Sequence, residues 1–357
     1  AVLHSGMLES RRLQEWQRFR CGEARVVVGA ISAVFAPVRN LGFLVVDEEH
    51  EPSYKQEDAP RYHAREVAIR RGELAGVPVL LGSATPSLTV YYQATSDIPA
   101  VDLLTLQQRV APPPAVGPKG LLSLKGPASP ATAGGGVEQT PLPEVEIVDM
   151  REELAAGTRH RIFSRKLEEA LAQLLESRQQ AILFLNRRGF STFVHCPRCG
   201  HVLKCGSCAL PYTYHLSTKQ LLCHHCHTSA TAPEMCPQCR SQYVRFHGTG
   251  TERVESDLAR LFPEARIARM DSDSTKVRGS HIRILEAFRR HETDILVGTQ
   301  MVAKGLDFPK VTLVGVISAD TALNLPDFRS AERTFQLLTQ VAGRAGRGSL
   351  VGRVIVQ

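Results

Sequence analysis

Eight of the nine cysteines in this 357-residue chain lie between positions 196 and 239. They form four Cys-x-x-Cys pairs, which are Cys196/Cys199, Cys205/Cys208, Cys223/Cys226 and Cys236/Cys239. A Cys-x-x-Cys turn places two thiolates on one side of a tight bend, and two such turns complete a tetrahedral four-sulfur site. Eight thiolates therefore predict two ions. Zinc is the expected metal because it is redox-silent and favours sulfur ligands, whereas an iron–sulfur cluster suits an electron carrier.

The spacing of the turns indicates which pairs share an ion. Only Gly200 to Lys204 separate the first two turns, whereas residues 212–216, between the second and third, alternate like a short strand. This pattern favours a nested arrangement of two sites. The inner site would comprise Cys205, Cys208, Cys223 and Cys226, and the outer site Cys196, Cys199, Cys236 and Cys239.

Disulfide bonds and histidine ligands fit the cysteine-rich segment less well than zinc-bound thiolates do. Disulfides are disfavoured because the sequence shows no signal-peptide pattern, and a cytoplasmic chain keeps its thiols reduced. Because it shows no signal-peptide pattern, we expect the protein to be cytoplasmic. With eight thiolates available, we interpret most of the histidines in the segment as solvated surface residues; they are His195, His201, His215, His224, His225 and His227.

Length and composition set the class of protein. The 357 residues are enough for two domains plus an insert, and an apolar content of 43% supports real hydrophobic cores. A net charge of +7 is compatible with a nucleic-acid partner. No apolar run reaches the roughly 20 residues of a membrane span, which excludes a membrane-spanning protein. The last residues, Gly352–Gln357, resemble an interrupted strand, so we expect the chain to be part of a longer protein.

Two apolar runs in the first hundred residues end in polar side chains. Leu41–Val46 is typical of a central parallel strand and leads into Asp47, Glu48, Glu49 and His50, while a second run leads into Gly82–Ser87. Open α/β sheets bind ligands at the carboxyl ends of their strands. An Asp there can hold Mg²⁺, and the adjacent Glu can polarise the attacking water in nucleotide hydrolysis. An acidic helix N-cap is the alternative.

The rest of the chain predicts a second α/β region around the cysteines. Upstream of both apolar runs, Arg25–Val28 predicts another buried strand. Residues 111–143 are rich in Pro, Gly, Ala and Ser, which predicts a flexible linker or surface loop. Near the end stands Gln340-x-x-Gly-Arg-x-Gly-Arg, whose Arg344 and Arg347 can reach a transferring phosphate from a helix end. A basic helix end that interacts with the helix dipole is the alternative.

These motifs resemble those of superfamily 2 helicases. The strands that end in Asp-Glu-x-His and Ser-Ala-Thr resemble motifs II and III, and Gly298–Phe308 with Gln340–Arg347 resembles a RecA-like second lobe. With eight cysteines inserted in that lobe, nearly the whole chain resembles the primosomal replication-restart helicases. The resemblance implies an α/β fold of two RecA-like lobes with parallel sheets, the second interrupted by a binuclear zinc-binding module. The implied domains are a partial first lobe (1–110), the linker (111–143), the second lobe in two parts (144–195 and 241–357) and the zinc module (196–240).

The resemblance also implies residue roles. Asp47 and Glu48 would serve Mg²⁺ and hydrolysis, Arg344 and Arg347 would contact ATP phosphates, and Gln340 would sense the nucleotide. Ser83 and Thr85 would couple the nucleotide state to lobe movement. Residues 51–63 resemble the aromatic-rich loop of the family, whose Tyr54, Lys55, Arg61 and Tyr62 would contact single-stranded DNA. An ordinary polar surface loop fits these residue types equally well.

The implied function is an ATP-dependent 3′-5′ DNA helicase of the primosome that restarts stalled forks and helps load the replicative helicase. Its partners would be forked or single-stranded DNA, other primosome proteins and single-stranded DNA-binding protein. The sequence departs from the family in two ways: it lacks Gly-x-x-x-x-Gly-Lys-Ser/Thr, and Ala30 and Ile31 replace a more usual Thr-Arg pair. From the resemblance we also expect the amino-terminal DNA-binding region and the carboxyl-terminal domain of the family to lie outside this chain. We therefore expect the chain alone to be ATPase-deficient.

Two other functions remain open. The chain is alternatively a non-catalytic, zinc-dependent scaffold that binds DNA or protein and keeps a remnant motor. A zinc-dependent hydrolase is disfavoured, because four-thiolate sites leave no position for water.

Overall fold

The computed structural model describes residues 2–4, 6–106, 142–155, 162–185, 193–215, 218, 220–242, 250–271, 280–299, 308, 310–325, 327–346 and 351–357. The chain divides into two compact units, residues 1–104 and 105–357. The predicted phosphate contact Arg347, most of the predicted linker and residues 300–307 of the Gly298–Phe308 motif lie outside the described residues.

The first unit contains two pairs of short parallel strands and three α-helices in its described part. Its elements are β1 (Val2–Leu3), α1 (Glu9–Cys21), β2 (Val28–Gly29), β3 (Leu44–Val46), α2 (Ala64–Ala75), β4 (Val79–Leu81) and α3 (Leu88–Thr95), with 3₁₀ turns at Ile31–Phe35 and Pro52–Tyr54. Strand β1 pairs with β2, and β3 pairs with β4. Parallel pairing places the last residues of β3 and β4 side by side, which is the feature that positions the polar residues after them.

Helix α2 approaches β4 closely because it presents small residues to the strand. Ala64 and Ala68 are buried on this helix. A methyl group at Gly72 would lie 2.2 Å from Cγ2 of Val79, so only glycine permits this approach. The close packing brings the start of α2 to the ends of β3 and β4.

The predicted buried strand at Arg25–Val28 is wrong in both extent and burial. Only Val28 belongs to β2, and Val26 and Val28 are 68% and 62% exposed. Among the described strands β2 pairs only with β1. An apolar run predicts an extended segment but does not tell which of its faces another element covers.

The second unit is built on a six-stranded, all-parallel sheet. Its elements in chain order are β5 (Glu144–Ile147), α4 (Met150–Ala155), α5 (Arg165–Glu176), β6 (Gln180–Leu185), β7 (Thr213–His215), β8 (Gln220–Leu222), β9 (Ser229–Thr231), α6 (Thr251–Leu261), β10 (Ile267–Met270), α7 (Ser280–Arg289), β11 (Ile295–Gly298), β12 (Val311–Ile317), α8 (Asp320–Leu323), α9 (Ser330–Ala342) and β13 (Arg353–Val356). The strand order is β10-β11-β6-β12-β13-β5. The predicted α/β class with a parallel sheet is confirmed.

Helices cover both faces of this sheet. Leu167, Leu171 and Leu174 of α5 join the core on one face, and Val341 of α9 joins the core on the other. Strands β6 and β12 are consequently buried along their whole length. Helix α5 begins after Ser164, whose hydroxyl caps it by accepting a hydrogen bond from the Leu167 amide at 3.2 Å.

The cysteine-rich segment lies between β6 and α6 and has its own small sheet. Strands β7, β8 and β9 pair antiparallel in that order. This sheet carries a separate apolar cluster that includes Val194, Tyr212 and Leu221. No helix in the described residues is long and apolar enough to cross a membrane.

Candidate functional sites

The eight cysteines converge in two groups of four, the same two sets that the spacing predicts. In each set the sulfur atoms all lie within 4.8 Å of one another. In the outer set, Cys196–Cys239 and Cys199–Cys236 are both 3.7 Å apart, and in the inner set Cys205–Cys226 and Cys208–Cys223 are 3.5 and 3.3 Å apart. A tetrahedral zinc ion with bonds of about 2.3 Å needs sulfur atoms about 3.8 Å apart. Both groups can therefore hold such an ion with little rearrangement.

All four Cys-x-x-Cys turns have the same backbone. The amide of the first cysteine donates to the carbonyl five residues later, and the amide four residues later donates back to the carbonyl of the first cysteine. The residue four positions after the first cysteine has a left-handed backbone in every turn, with φ of 76° at Gly200, 56° at Ala209, 58° at His227 and 55° at Arg240. Only one of the four is glycine. The sequence gives no signal for the other three, because a left-handed alanine, histidine or arginine costs about 1–2 kcal/mol and is rare.

Backbone amides favour the thiolate form at Cys205 and Cys236, whereas burial raises the pKa of Cys196 to about 12. The amides of Cys208 and Ser207 lower the pKa of Cys205 to about 6. Burial opposes the same effect at Cys236, but the amides of Cys239 and Gln238 still lower its pKa to about 7. The thiolate is the form that binds a metal, so these hydrogen bonds suit metal ligands.

The two sulfur sets differ in their surroundings. Inner ligands Cys205 and Cys223 belong to the small apolar cluster with Tyr212 and Leu221, whereas none of the outer ligands does. The first outer turn instead lies near helix α4, since a methyl group at Gly200 would sit 3.6 Å from Cδ of Arg151. The inner set is thus supported by a core of its own.

The second candidate site lies at the carboxyl ends of β3 and β4. Asp47 follows β3 directly, and the backbone joins the two strand ends: the Gly82 amide donates to Val46 at 2.9 Å, and the Glu49 amide donates to Gly82 at 3.1 Å. A hydrogen bond of 2.7 Å links His50 Nδ1 to the Ser83 hydroxyl. The structure thus brings the two predicted motifs together.

Two buried oxygens at this junction have no hydrogen-bond partner. One is Oε2 of Glu48, a residue held in the left-handed region with φ of 48°, and the other is the hydroxyl of Thr85, which is 4% exposed. Oε2 of Glu48 lies 3.6 Å from Nδ1 of His50. An unsatisfied buried polar atom costs about 1–3 kcal/mol, so it calls for a physical cause such as a water molecule or ligand.

Sequence reasoning missed the best-connected group at this junction. Glu49 is 1% exposed, and its carboxylate accepts hydrogen bonds from Arg65 Nη1 at 2.7 Å and from the Ser87 amide at 2.6 Å. The Arg65 guanidinium also donates to the Ser87 hydroxyl at 2.9 Å. These contacts join the end of β3 to the first turns of α2 and α3. Removing Arg65 would leave the buried Glu49 carboxylate without a counter-ion, at a cost of about 3–5 kcal/mol.

The predicted DNA-contacting loop folds back on the strand end. The Tyr54 hydroxyl donates to the Asp47 carbonyl at 2.7 Å, and the Tyr62 ring packs edge-on against Phe35 with centroids 5.0 Å apart. Burial, followed by the charges of Asp47 and Glu51, raises the pKa of Tyr54, so the phenol keeps its proton and remains a donor. Lys55 and Arg61 are exposed. The four predicted residues therefore share one ordered loop beside Asp47.

In the second unit, Gln340 lies in the last turn of α9, and Arg344 follows in the turn after the helix. Arg344 is 9% exposed. The turn lies at the amino ends of two strands: the Gly346 amide donates to Val311 at 3.0 Å, and a methyl group at Gly352 would lie 2.5 Å from backbone atoms of Ala345 and Gly346. Sheet packing therefore fixes the backbone that carries Arg344.

Known proteins share these features. Residues 239–349 match the helicase conserved C-terminal domain. The replication restart protein PriA of Bacillus subtilis is 49% identical over all of this chain, which covers 41% of that protein. PriA of Synechocystis is 45% identical, again over the whole chain and over 40% of its own length. This chain belongs to the PriA family.

The chain spans about 41% of the length of the PriA protein of Bacillus subtilis. The family resemblance predicted from the strand-end motifs, the Gln340–Arg347 motif and the cysteines is confirmed. A solved structure of S. cerevisiae Dbp5 bound to RNA and ADP BeF3 aligns with 99% of this chain and 62% of its own, at 14% identity and a TM-score of 0.44.

Proposed function

We propose that this PriA-family chain belongs to an ATP-dependent 3′-5′ DNA helicase that restarts stalled replication forks and helps load the replicative helicase in the cytoplasm. The observation that carries the proposal is the junction after β3 and β4. There Glu48 presents a buried carboxylate oxygen with no hydrogen-bond partner, directly after Asp47 and beside the His50–Ser83 hydrogen bond. A poised carboxylate at the carboxyl end of parallel strands suits activation of a water molecule.

Each residue at the junction has a distinct proposed task. Asp47 is exposed and would hold Mg²⁺, which when bound with ATP neutralises phosphate charge. Glu48 would orient the attacking water. Ser83, through His50, and Thr85 would transmit the nucleotide state to the elements after β4. From the second unit, Arg344 and Arg347 would contact the phosphates and Gln340 would sense the nucleotide.

We propose structural zinc for both sulfur sets. Their sulfur distances and backbone-bonded thiolates fit zinc, and four thiolates leave no position for a reacting water molecule. The bound ions would order the cysteine-rich segment together with its small apolar cluster, and the module would engage separated DNA strands or other primosome proteins. Tyr54, Lys55, Arg61 and Tyr62 would contact single-stranded or forked DNA. Single-stranded DNA-binding protein is a further proposed partner.

A second candidate function is a zinc-dependent scaffold that binds DNA or protein without hydrolysis. The sequence favours it in one respect, since the chain lacks the phosphate-loop signature. On either proposal we expect no ATP hydrolysis by the chain on its own.

The test is DNA-stimulated ATPase activity, measured on this chain and on the product of the complete reading frame that encodes it. We expect hydrolysis only by the complete product, and we expect Glu48→Gln to lower kcat about 100-fold or more, the usual effect of losing a general base. Glu176→Gln, an exposed glutamate of α5, is the matched control. A complete product that is inert but binds forked DNA only when zinc is present would establish the scaffold instead.

A further inference from the structure

The histidines of the cysteine-rich segment are not all independent surface residues. Two of them meet: Nε2 of His215 lies 3.3 Å from Nε2 of His224. Their ring centroids are 5.2 Å apart, and the ring planes are inclined at 57°. His215 is half-buried and His224 is exposed, so solvent reaches the point on which the two nitrogens converge.

The fold of the module holds this pair in place. His215 ends β7, which pairs with β8, and β8 leads directly into the Cys-x-x-Cys turn that carries His224. His224 follows Cys223, a buried ligand of the inner sulfur set. An ion in that set would fix the turn, so the pair is pre-organised by the proposed zinc site.

The spacing of the two nitrogens fits a shared metal ion. Metal–imidazole bonds of about 2.0–2.1 Å place two nitrogens of a tetrahedral site about 3.3–3.4 Å apart. Imidazole nitrogens suit zinc, nickel and copper. A hydrogen bond from one ring to the other is the competing interpretation, and it would occupy the lone pair that a metal needs.

We propose that His215 and His224 form a third metal site, separate from the two sulfur sets, that takes a divalent transition-metal ion such as Zn²⁺. Within the described residues, no group of three or more candidate ligands includes this pair. Water therefore completes the coordination. Unlike the closed sulfur sites, this site is open at the surface and exchanges its ion.

The test counts bound Zn²⁺ by equilibrium dialysis of the full chain without an affinity tag. We expect a third, weaker equivalent in the unaltered chain. His215→Asn and His224→Asn should each weaken it about tenfold or more, and the double variant should lose it. His225→Asn is the matched control, because His225 is an exposed histidine of the same turn. It should keep the third equivalent.

Absence of a third equivalent in the unaltered chain, or its survival in the double variant, would overturn the proposal. The inference rests on the proposed sulfur-bound zinc only for its pre-organisation, so the tightly bound zinc is measured in the same samples. A chain that lacks tightly bound zinc yet loses weak binding in the His215 and His224 variants would contradict the sulfur sites and retain the histidine site.

Discussion

The inner and outer cysteine sets have the same ligands and the same turns but different support. Inner ligands Cys205 and Cys223 are buried in an apolar cluster beneath a three-stranded sheet. The outer ligands come from the two ends of the module. In the outer set the paired cysteines are 37 and 43 residues apart in sequence, whereas in the inner set they are 15 and 21 residues apart. Doubling a loop adds only about 0.6 kcal/mol of closure entropy. The apolar core, more than the loop length, therefore accounts for the difference in support between the two sites.

This difference implies an order of dependence. The ligands and both turns of the inner set lie within residues 205–226, so we expect this set to form first. We expect the folded inner part to bring together the two turns of the outer set. Two sites with equal chemistry should therefore respond unequally to the same kind of change.

Replacement of one buried ligand in each set should show the largest difference between the two sites. We expect Cys205→Ser to release both ions, because the outer turns then lack their support. Cys196→Ser should release only the outer ion. Zinc per chain after dialysis, checked against the absorption of the cobalt-substituted protein, measures both outcomes. Equal losses from the two variants would show that the sites are independent or mutually dependent.

Truncation in the inner core should have an intermediate effect. Leu221 is 2% exposed within the inner cluster, so Leu221→Ala should destabilise the module by about 2–4 kcal/mol and lower the urea concentration at which both ions are released. Met235→Ala is the matched control, since Met235 adjoins the outer turn and is 51% exposed. Its midpoint should stay unchanged. Release of the inner ion alone from Leu221→Ala, with the outer ion retained, would contradict the proposed order.

The smallest effects should come from the left-handed turn positions. Ala209→Gly relieves a left-handed alanine in an inner turn and should stabilise the module by about 1 kcal/mol. Gly200→Ala introduces the same strain in an outer turn and should destabilise it by about the same amount. The midpoint of zinc release in urea measures both. If Gly200→Ala lowers the midpoint for the inner ion as well, the inner set depends on the outer.

Features encoded by local spacing were predictable, and features that join distant segments were not. The cysteine sets follow from turns a few residues long, and helix α5 (Arg165–Glu176) likewise carries two local signals, leucine periodicity and a serine cap at Ser164. The contact among Glu49, Arg65 and Ser87 spans three elements. The sequence around Glu48 and Glu49 gives no indication that Glu49 is the buried one of these two adjacent glutamates. The exposure of Val26 and Val28 was missed for the same reason, since burial depends on what packs against a strand.

The buried ion pair between Glu49 and Arg65 has a consequence for how this protein varies. It closes residues 50–64 into a ring whose two ends are fixed at the junction of β3, α2 and α3. We expect changes of length or composition at the tip of this loop, residues 57–60, to leave the strand ends that carry Asp47 and Ser83 in place, whereas His50 and Tyr54 contact those ends directly. The proposed DNA contact Arg61, which adjoins this tip, could therefore be replaced without moving the proposed hydrolytic residues Asp47 and Glu48.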